Sequence, residues 1–190
     1  MRLVPSAVTI AHELAKKIVR PGDTVVDATA GNGNDTIYLA QLVGPSGLVF
    51  SFDIQAEAIL ATRDKLVLAN LESRVKLIQD GHENLDKYLS KPIKLIIFNL
   101  GYLPGGDKCI ITKPATTLAA LKKSLSFLES EGLVLFTVYT GHPGGQEEWE
   151  SIQAYIGQLP KEQYDVVLCT YLNRNVHHPF TIMIQKLNNG

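Results

Sequence analysis

The spacing of apolar positions switches repeatedly between helical and strand periods, and the switches lay the chain out as alternating helices and strands. Residues 6–19 carry apolar side chains at helical spacing and stop at Pro21-Gly22, a pair that breaks a helix and hands the chain to a strand. Residues 24–28 and 48–52 are short runs rich in β-branched and aromatic side chains, and each reads as a buried strand. Between them Asn34 or Asp35 caps a predicted helix running to about Val43, and Gly44-Pro45-Ser46-Gly47 supplies the turn. The alternation continues with a helix at 56–69, a strand at 75–79, a short helix at 84–89 and a strand at 95–98. After a long loop at 101–114 come a helix at 116–128, a strand at 133–139 and a helix at 147–159. Two strand-like runs, 164–172 and 180–186, close the pattern, with no internal repeat and no low-complexity tract.

Strands that alternate with helices predict an α/β fold, a mainly parallel sheet with right-handed crossovers and helices on both faces. The last two strands break that rhythm. Only Asn173 to Pro179 separate them, too few residues for a crossover helix, so an antiparallel hairpin at one edge of a seven-stranded sheet is expected. The 190 residues, 45% hydrophobic and 19% charged, fit one domain with an ordinary core. A formal charge of -1 makes the whole molecule no magnet for nucleic acid, so any RNA or DNA contact falls to a local basic patch. Cys109 and Cys169 are too few and too far apart for a disulfide framework or a metal knuckle, which points to a reducing, cytoplasmic setting. No apolar run approaches the ~18 residues needed to cross a bilayer, and residues 1–19 read as a polar-interrupted helix instead of a secretory signal, so no membrane partner is expected.

In such sheets ligands sit beyond the carboxyl ends of the strands, where the strand order reverses. Asp27, Asp53, Asp80 and Asn99 fall at the ends of the first four strands. After Asp27 the chain reads Ala28-Thr29-Ala30-Gly31-Asn32-Gly33-Asn34-Asp35-Thr36, a glycine turn that opens a helix and lets a ligand approach the backbone. A dinucleotide site calls for a third glycine where Thr36 stands, and a strand-end carboxylate opposes an arriving diphosphate. S-adenosylmethionine carries an ammonium and a sulfonium and no phosphate, so an acidic first loop suits it better. On that reading Asp53 accepts both ribose hydroxyls and Asp80 meets the adenine amino group, while Gly31 and Gly33 admit the cofactor and Asp27 orients its cationic amino acid moiety.

These motifs resemble class I S-adenosylmethionine-dependent methyltransferases, and more closely a small bacterial family labelled rRNA methylases and linked to tRNA wobble-uridine modification. The likeness runs over nearly the whole chain. It includes Ala11-His12, residues 27–36, Phe52-Asp53-Ile54-Gln55, His82-Glu83, the run Asn99-Leu100-Gly101-Tyr102-Leu103-Pro104-Gly105-Gly106-Asp107-Lys108, and Tyr139-Thr140-Gly141-His142-Pro143-Gly144-Gly145 with Glu147-Glu148, then residues 173–180. The chain departs from that pattern at Asn34, where relatives often carry histidine, and at His177-His178, ahead of Pro179, where a second proline is usual. The resemblance implies one Rossmann-like domain over residues 1–190 and S-adenosyl-L-methionine as cofactor. The implied reaction is methylation of the exocyclic amine of 5-aminomethyluridine, commonly 2-thiolated, at the tRNA wobble position. Cofactor contacts are then expected from Asp27, Thr29, Gly31, Asn32, Gly33, Asn34, Asp35, Asp53, Ile54, Gln55, Asp80, Gly81, His82 and Asn99. Substrate contacts are expected from Tyr102, Leu103, Pro104, Gly105, Lys108, Tyr139, His142, Asn173 and Arg174.

A sulfonium is already reactive, so the protein's main task is to hold the amine in line with the methyl group, and no covalent nucleophile is required. Asn99 is the candidate for orienting the amine through its side-chain carbonyl, with Tyr102 brought alongside to stack on the pyrimidine. His142, set among glycines and a proline, reads as a flexible, exposed substrate contact or proton acceptor, or as a loop histidine without a role. His82 abuts the adenine or caps the next helix, and His12 lines the cofactor pocket or packs beside it. Because no Cys or carboxylate stands at ligand spacing from His177-His178, no metal is expected. Lys108, Lys113, Lys122, Lys123 and Arg174 form the candidate RNA surface, thin enough that a homodimer, or contact with the anticodon arm alone, is expected. Transfer to rRNA or to a small amine, and a cofactor-binding module without turnover, are the alternative functions.

Overall fold

The computed structural model describes residues 3–101, 103, 105, 111–175 and 177–188. Its strands are β1 (Thr24–Asp27), β2 (Leu48–Phe52), β3 (Val75–Ile78), β4 (Ile93–Asn99), β5 (Leu128–Val138), β6 (Tyr164–Cys169) and β7 (Phe180–Lys186). They form one sheet in the order β3-β2-β1-β4-β5-β7-β6. The helices are α1 (Ala7–Ile18), α2 (Asn34–Leu42), α3 (Ala56–Ala69), α4 (Pro114–Phe127) and α5 (Gly145–Ile156), with short 3-10 turns at Glu72–Arg74 and His82–Lys87. Strands β1 to β5 are mutually parallel, and β7 runs antiparallel to both β5 and β6. The expected hairpin is present, but its second strand inserts beside β5 and leaves β6 at the edge.

Successive residues of a strand face opposite sides, and here both sides are covered. Val26, Phe50, Ile96, Phe98 and Phe136 point to the face packed by α4 and α5. Their neighbours Val25, Val49, Leu95, Ile97 and Leu135 point to the face packed by α1, α2 and α3. This double burial explains why the central strands read as unbroken apolar runs. Phe98 and Phe136 stack with ring centroids 4.5 Å apart at the centre of the first layer.

Several boundaries differ from the sequence reading for physical reasons. Neither Asn34 nor Asp35 caps α2: the cap is Gly33, at φ 77°, with no side-chain hydrogen bond. A Cβ on Gly33 would stand 2.8 Å from Thr62 Oγ1 and 3.0 Å from Thr62 Cα, so the turn needs glycine both for its left-handed backbone and for the approach of α3. β5 begins at Leu128 instead of residue 133, because Ile93 pairs with Leu128 while Leu95 pairs with Leu133. The extra residues bulge through Glu131 at φ 61°, and their polar character hid the strand. The short helix expected at 84–89 is the 3-10 turn from His82, and β6 ends at Cys169. Beyond β6, Tyr171 turns away to donate its hydroxyl to Pro5 O at 2.6 Å.

Candidate active site

Because β1 lies between β2 and β4, the chain reverses its direction of travel across the sheet there, and the loops beyond those strands open a crevice. A cavity of about 670 Å³ fills it. One half is walled by the loops after β1, β2 and β3, and the other by Asn99 to Gly101, Leu103, Ile111 to Lys113, Tyr139 and His142.

The first loop is locked from within. Asp27 is fully buried and does not line the cavity. Its carboxylate accepts from Thr29 N at 3.1 Å and from Thr36 Oγ1 at 2.6 Å, fixing the turn. Burial, reinforced by the nearby charge of Asp35, pushes its carboxyl up to about 7. The expected part for Asp27 in orienting an ammonium is therefore corrected: the acid of this loop that reaches the cavity is Asp35. Gly33, likewise absent from the lining, serves the helix turn.

Asp35 joins two walls. His12 Nε2 contacts its Oδ1 and Asn99 Nδ2 contacts its Oδ2, each at 2.5 Å. A carboxylate only accepts, so the amide nitrogen of Asn99 must face it, and the side-chain oxygen of Asn99 remains as an acceptor. A second tie, from Asn99 N to Thr29 Oγ1 at 2.8 Å, fixes the backbone at the same corner. The His12 ring stacks on Tyr38 at a centroid distance of 4.1 Å, so α1 supplies a positioned wall of the cavity.

On the far side of the first loop, Asp53 Oδ2 accepts from Gly31 N at 2.9 Å and Oδ1 from Gln55 N at 3.0 Å. Each oxygen keeps a lone pair, and the exposed Ile54 stands beside them as an apolar platform. Asp80 works against its own burial: bonds from Tyr88, Asn84 and Gly81 N outweigh desolvation and hold its carboxyl below the ordinary carboxylate range. His82 is 8% exposed, and burial pushes its imidazole pKa down. Its Nδ1 faces Ala28 O at 3.1 Å, so the proton sits there; Nε2 is a buried acceptor with no hydrogen-bond partner among the described residues. Thr29, Asn32, Asn34 and Gln55 also line this half, Asn34 accepting from Lys65 Nζ at 2.8 Å.

His142 is half-buried, contrary to the exposed position expected from its glycine-rich flanks. Its ring takes the space of a Cβ on Gly145, which would stand 2.9 Å from Nε2, so that glycine makes room for the imidazole, and Gly101 faces the same ring in ordinary contact. Tyr139 lines the same side, and burial followed by the charge of Asp35 pushes its phenol up. Leu103 faces the cavity; Gly105 is exposed and outside the lining. Asn173 and Arg174 are exposed and do not line the cavity, whereas His177 does. Tyr102, Pro104 and Lys108 lie outside the described residues. Of the candidate RNA-facing lysines, Lys113 is exposed at the cavity, but Lys123 is held by Asp86 at 2.7 Å and Lys122 lies over the Tyr155 ring at 5.2 Å. Spacing did not reveal Thr112 or the buried Glu148, which are joined by a hydrogen bond from the segment before α4 to the first turn of α5. Among the described residues no helix is long and apolar enough to cross a membrane, and no cluster of three His, Cys, Asp or Glu side chains is placed to hold a metal.

Comparison with known proteins bears directly on this cavity. The "tRNA (mnm(5)s(2)U34)-methyltransferase, chloroplastic" of Arabidopsis thaliana is 38% identical over 192 residues, covering 96% of this chain and 70% of that one. A crystal structure described as a "putative rRNA-methylase" from Clostridium thermocellum superposes with TM-score 0.96 at 42% identity, covering 98% of this chain and all of the other. A methyltransferase from Streptococcus mutans, solved in complex with SAH, superposes with TM-score 0.90 at 38% identity over 97% of this chain and 100% of that one. A family model described as "Putative rRNA methylase" matches residues 49–185. By matches of this extent, the chain belongs to that family and is a methyltransferase.

Proposed function

We propose that this protein is a tRNA-modifying N-methyltransferase. It transfers a methyl group from S-adenosyl-L-methionine to the exocyclic amine of 5-aminomethyluridine, with or without 2-thiolation, at the wobble position of the anticodon arm. The observation that carries this reading is the corner at the end of β4: Asp35 holds the Asn99 amide so that an uncharged acceptor oxygen remains on a cavity-lining side chain. An amine that donates one N–H to that oxygen is turned with its lone pair free for attack. The relative named for mnm(5)s(2)U34 supports the choice of substrate.

The donor half fits the cofactor by its chemistry. Asp53 offers two carboxylate oxygens to ribose hydroxyls, and Ile54 an apolar face to the adenine. His82 Nε2 and Asp80 lie where acceptors for an amino group are wanted, and Asp35 supplies the negative charge for an ammonium. When bound there, the cofactor supplies a methyl group activated on a positively charged sulfur. The protein's own contribution is placement, worth up to ~7–11 kcal/mol in favourable systems. An amine with lysine-like basicity, ~10.4, needs roughly 4–5 kcal/mol to lose its proton at pH 7. Leu100, Leu103 and Ile111, all lining the cavity, lower that demand by disfavouring the ammonium.

With Lys113 the exposed lysine at the cavity among the described residues and a net charge of -1, contact is confined to the anticodon arm, and a second copy of the chain widens the RNA surface. Analytical ultracentrifugation measures that dimer. A cytoplasmic site of action fits a chain in which no described helix can cross a membrane. The family description names rRNA instead, which makes transfer to rRNA the second reading. Nucleoside mass spectrometry of tRNA from a deletion strain tests the choice. Loss of 5-methylaminomethyl nucleosides with accumulation of the aminomethyl form is expected, and an unchanged profile overturns the proposed function.

A further inference from the structure

Glu148, in the first turn of α5, is 1% exposed, an unusual place for an acid. Among the described residues no Lys or Arg pairs with it. Its Oε2 accepts from Thr112 Oγ1 at 2.7 Å, and its Oε1 from Thr117 Oγ1 at 2.5 Å. Thr112 is clamped to Gly101 twice: Gly101 N donates to Thr112 Oγ1 at 2.9 Å, and Thr112 N donates to Gly101 O at 2.9 Å. Gly101 is two residues beyond Asn99 and sits at φ 141°, a conformation open to glycine and rarely adopted by other residues.

The direction of this line follows from counting protons. Thr112 has one hydroxyl hydrogen; giving it to Glu148 leaves only lone pairs toward Gly101, and a backbone N–H is what those lone pairs accept. If Glu148 donated to Thr112 instead, the threonine hydrogen would lose its acceptor and compete with the Gly101 N–H for the same space. Burial pushes the Glu148 carboxyl up, opposed by the Thr117 and Thr112 hydroxyls and by His142, so the site holds an acid where desolvation works against its charge. Burying an acid with no Lys or Arg beside it among the described residues costs stability, and its hydrogen bonds point to the β4 corner.

We propose that Glu148 is a positioning residue for the transfer reaction: through Thr112 it fixes Gly101, and so sets where the Asn99 oxygen and the His142 ring meet the substrate. The proposal rests on the reading of the site as an amine methyltransferase acting on tRNA. Among the described residues Asp53, Asp80 and His82 make no hydrogen bond to Glu148, Thr112 or Gly101, so the adenosine side of the cofactor site is held separately from this line.

Four single variants and one double variant separate a positioning role from a packing role. Glu148→Ala and Thr112→Val each lower kcat/KM for tRNA bearing the aminomethyl nucleoside, on the order of 10²-fold for a displaced reacting group, with SAH affinity by calorimetry unchanged. Thr117→Val, which removes a more deeply buried bond to the same carboxylate but leaves the Gly101 line intact, has a much smaller effect. Glu148→Gln recovers part of the loss, since its carbonyl can still accept from Thr112, and Glu148→Ala combined with Thr112→Val is no worse than either alone. Hydrogen exchange on the ligand-free protein gives a readout independent of turnover: the Gly101 amide exchanges faster in Glu148→Ala and Thr112→Val, but not in Thr117→Val. If Thr117→Val matches Glu148→Ala while Thr112→Val behaves as wild type, or if activity per folded molecule and Gly101 protection are unaltered in all four, the proposal is overturned. Wild-type protein that transfers no methyl to such tRNA overturns the proposed function, and the exchange pattern at Gly101 still decides the clamp.

Discussion

Replacing Asp27 by asparagine removes a buried charge whose signature is a pH-dependent stability. The folded protein holds the Asp27 carboxyl at about 7, against 3.8 for the ordinary group, through burial first and the charge of Asp35 second. Between those values the folded state binds a proton that the unfolded chain has released, so stability falls as pH rises through the window and levels off above about 7. The gap corresponds to ~4 kcal/mol at ~1.36 kcal/mol per pH unit, an upper bound because a neighbouring carboxylate shares the titration. Asparagine can keep its oxygen for Thr29 N and donate to Thr36 Oγ1, which then passes its hydrogen to Ser51 Oγ, but it carries two N–H hydrogens where the protonated acid carries one O–H, and the second is left buried without an acceptor at a cost of about 1–3 kcal/mol. Asp27→Asn is therefore less stable than wild type near pH 4.5, and the two converge or cross toward pH 8. Guanidinium unfolding of both proteins across that range checks it, since groups common to both cancel in the difference. A difference that stays constant from pH 4.5 to 8 refutes the reasoning.

Other perturbations target the two halves of the cavity separately. Asn99→Ala removes the acceptor oxygen and lowers kcat on the order of 10²-fold, with SAH binding by calorimetry retained; full turnover would remove Asn99 from its role. Asp53→Ala takes away a charged acceptor and weakens SAH binding by about ten- to a hundredfold, from ~1.5–3 kcal/mol per such bond. Gly145→Ala sets a Cβ 2.7 Å from Tyr139 O and 2.9 Å from His142 Nε2, so it displaces the imidazole and lowers kcat/KM without changing SAH affinity. Steady-state kinetics at saturating cofactor read that split.

The succession of strands and helices along the chain and the crevice were legible because turn residues punctuate every apolar run and four polar residues sit at strand ends. The role of Asp27 was not legible. It is the last residue still in the sheet, paired with Ser51 and Ile97, so the pleat fixes its side chain inward; Asp53, one residue past β2, is free to turn to the ligand. Glycines around His142 suggested exposure, whereas one of them, Gly145, marks space already filled by its ring. Glu148 left no trace in spacing because its partners lie 31 and 36 residues away and meet it only through packed helices.

The insertion of β7 between β5 and β6 also governs the order in which this molecule assembles. β5 has no partner on its outer side until residues 180–186 arrive, and an unpaired central strand is a template for association with other chains. The same strand anchors the start of α1, where Thr181 Oγ1 donates to Ala7 O at 3.1 Å. His12 rides on that helix, so the wall it provides for Asp35 is secured by a strand that follows every other wall of the cavity along the chain. A chain in which β7 is not yet paired therefore exposes a sticky edge and lacks a finished cavity, and one pairing event resolves both.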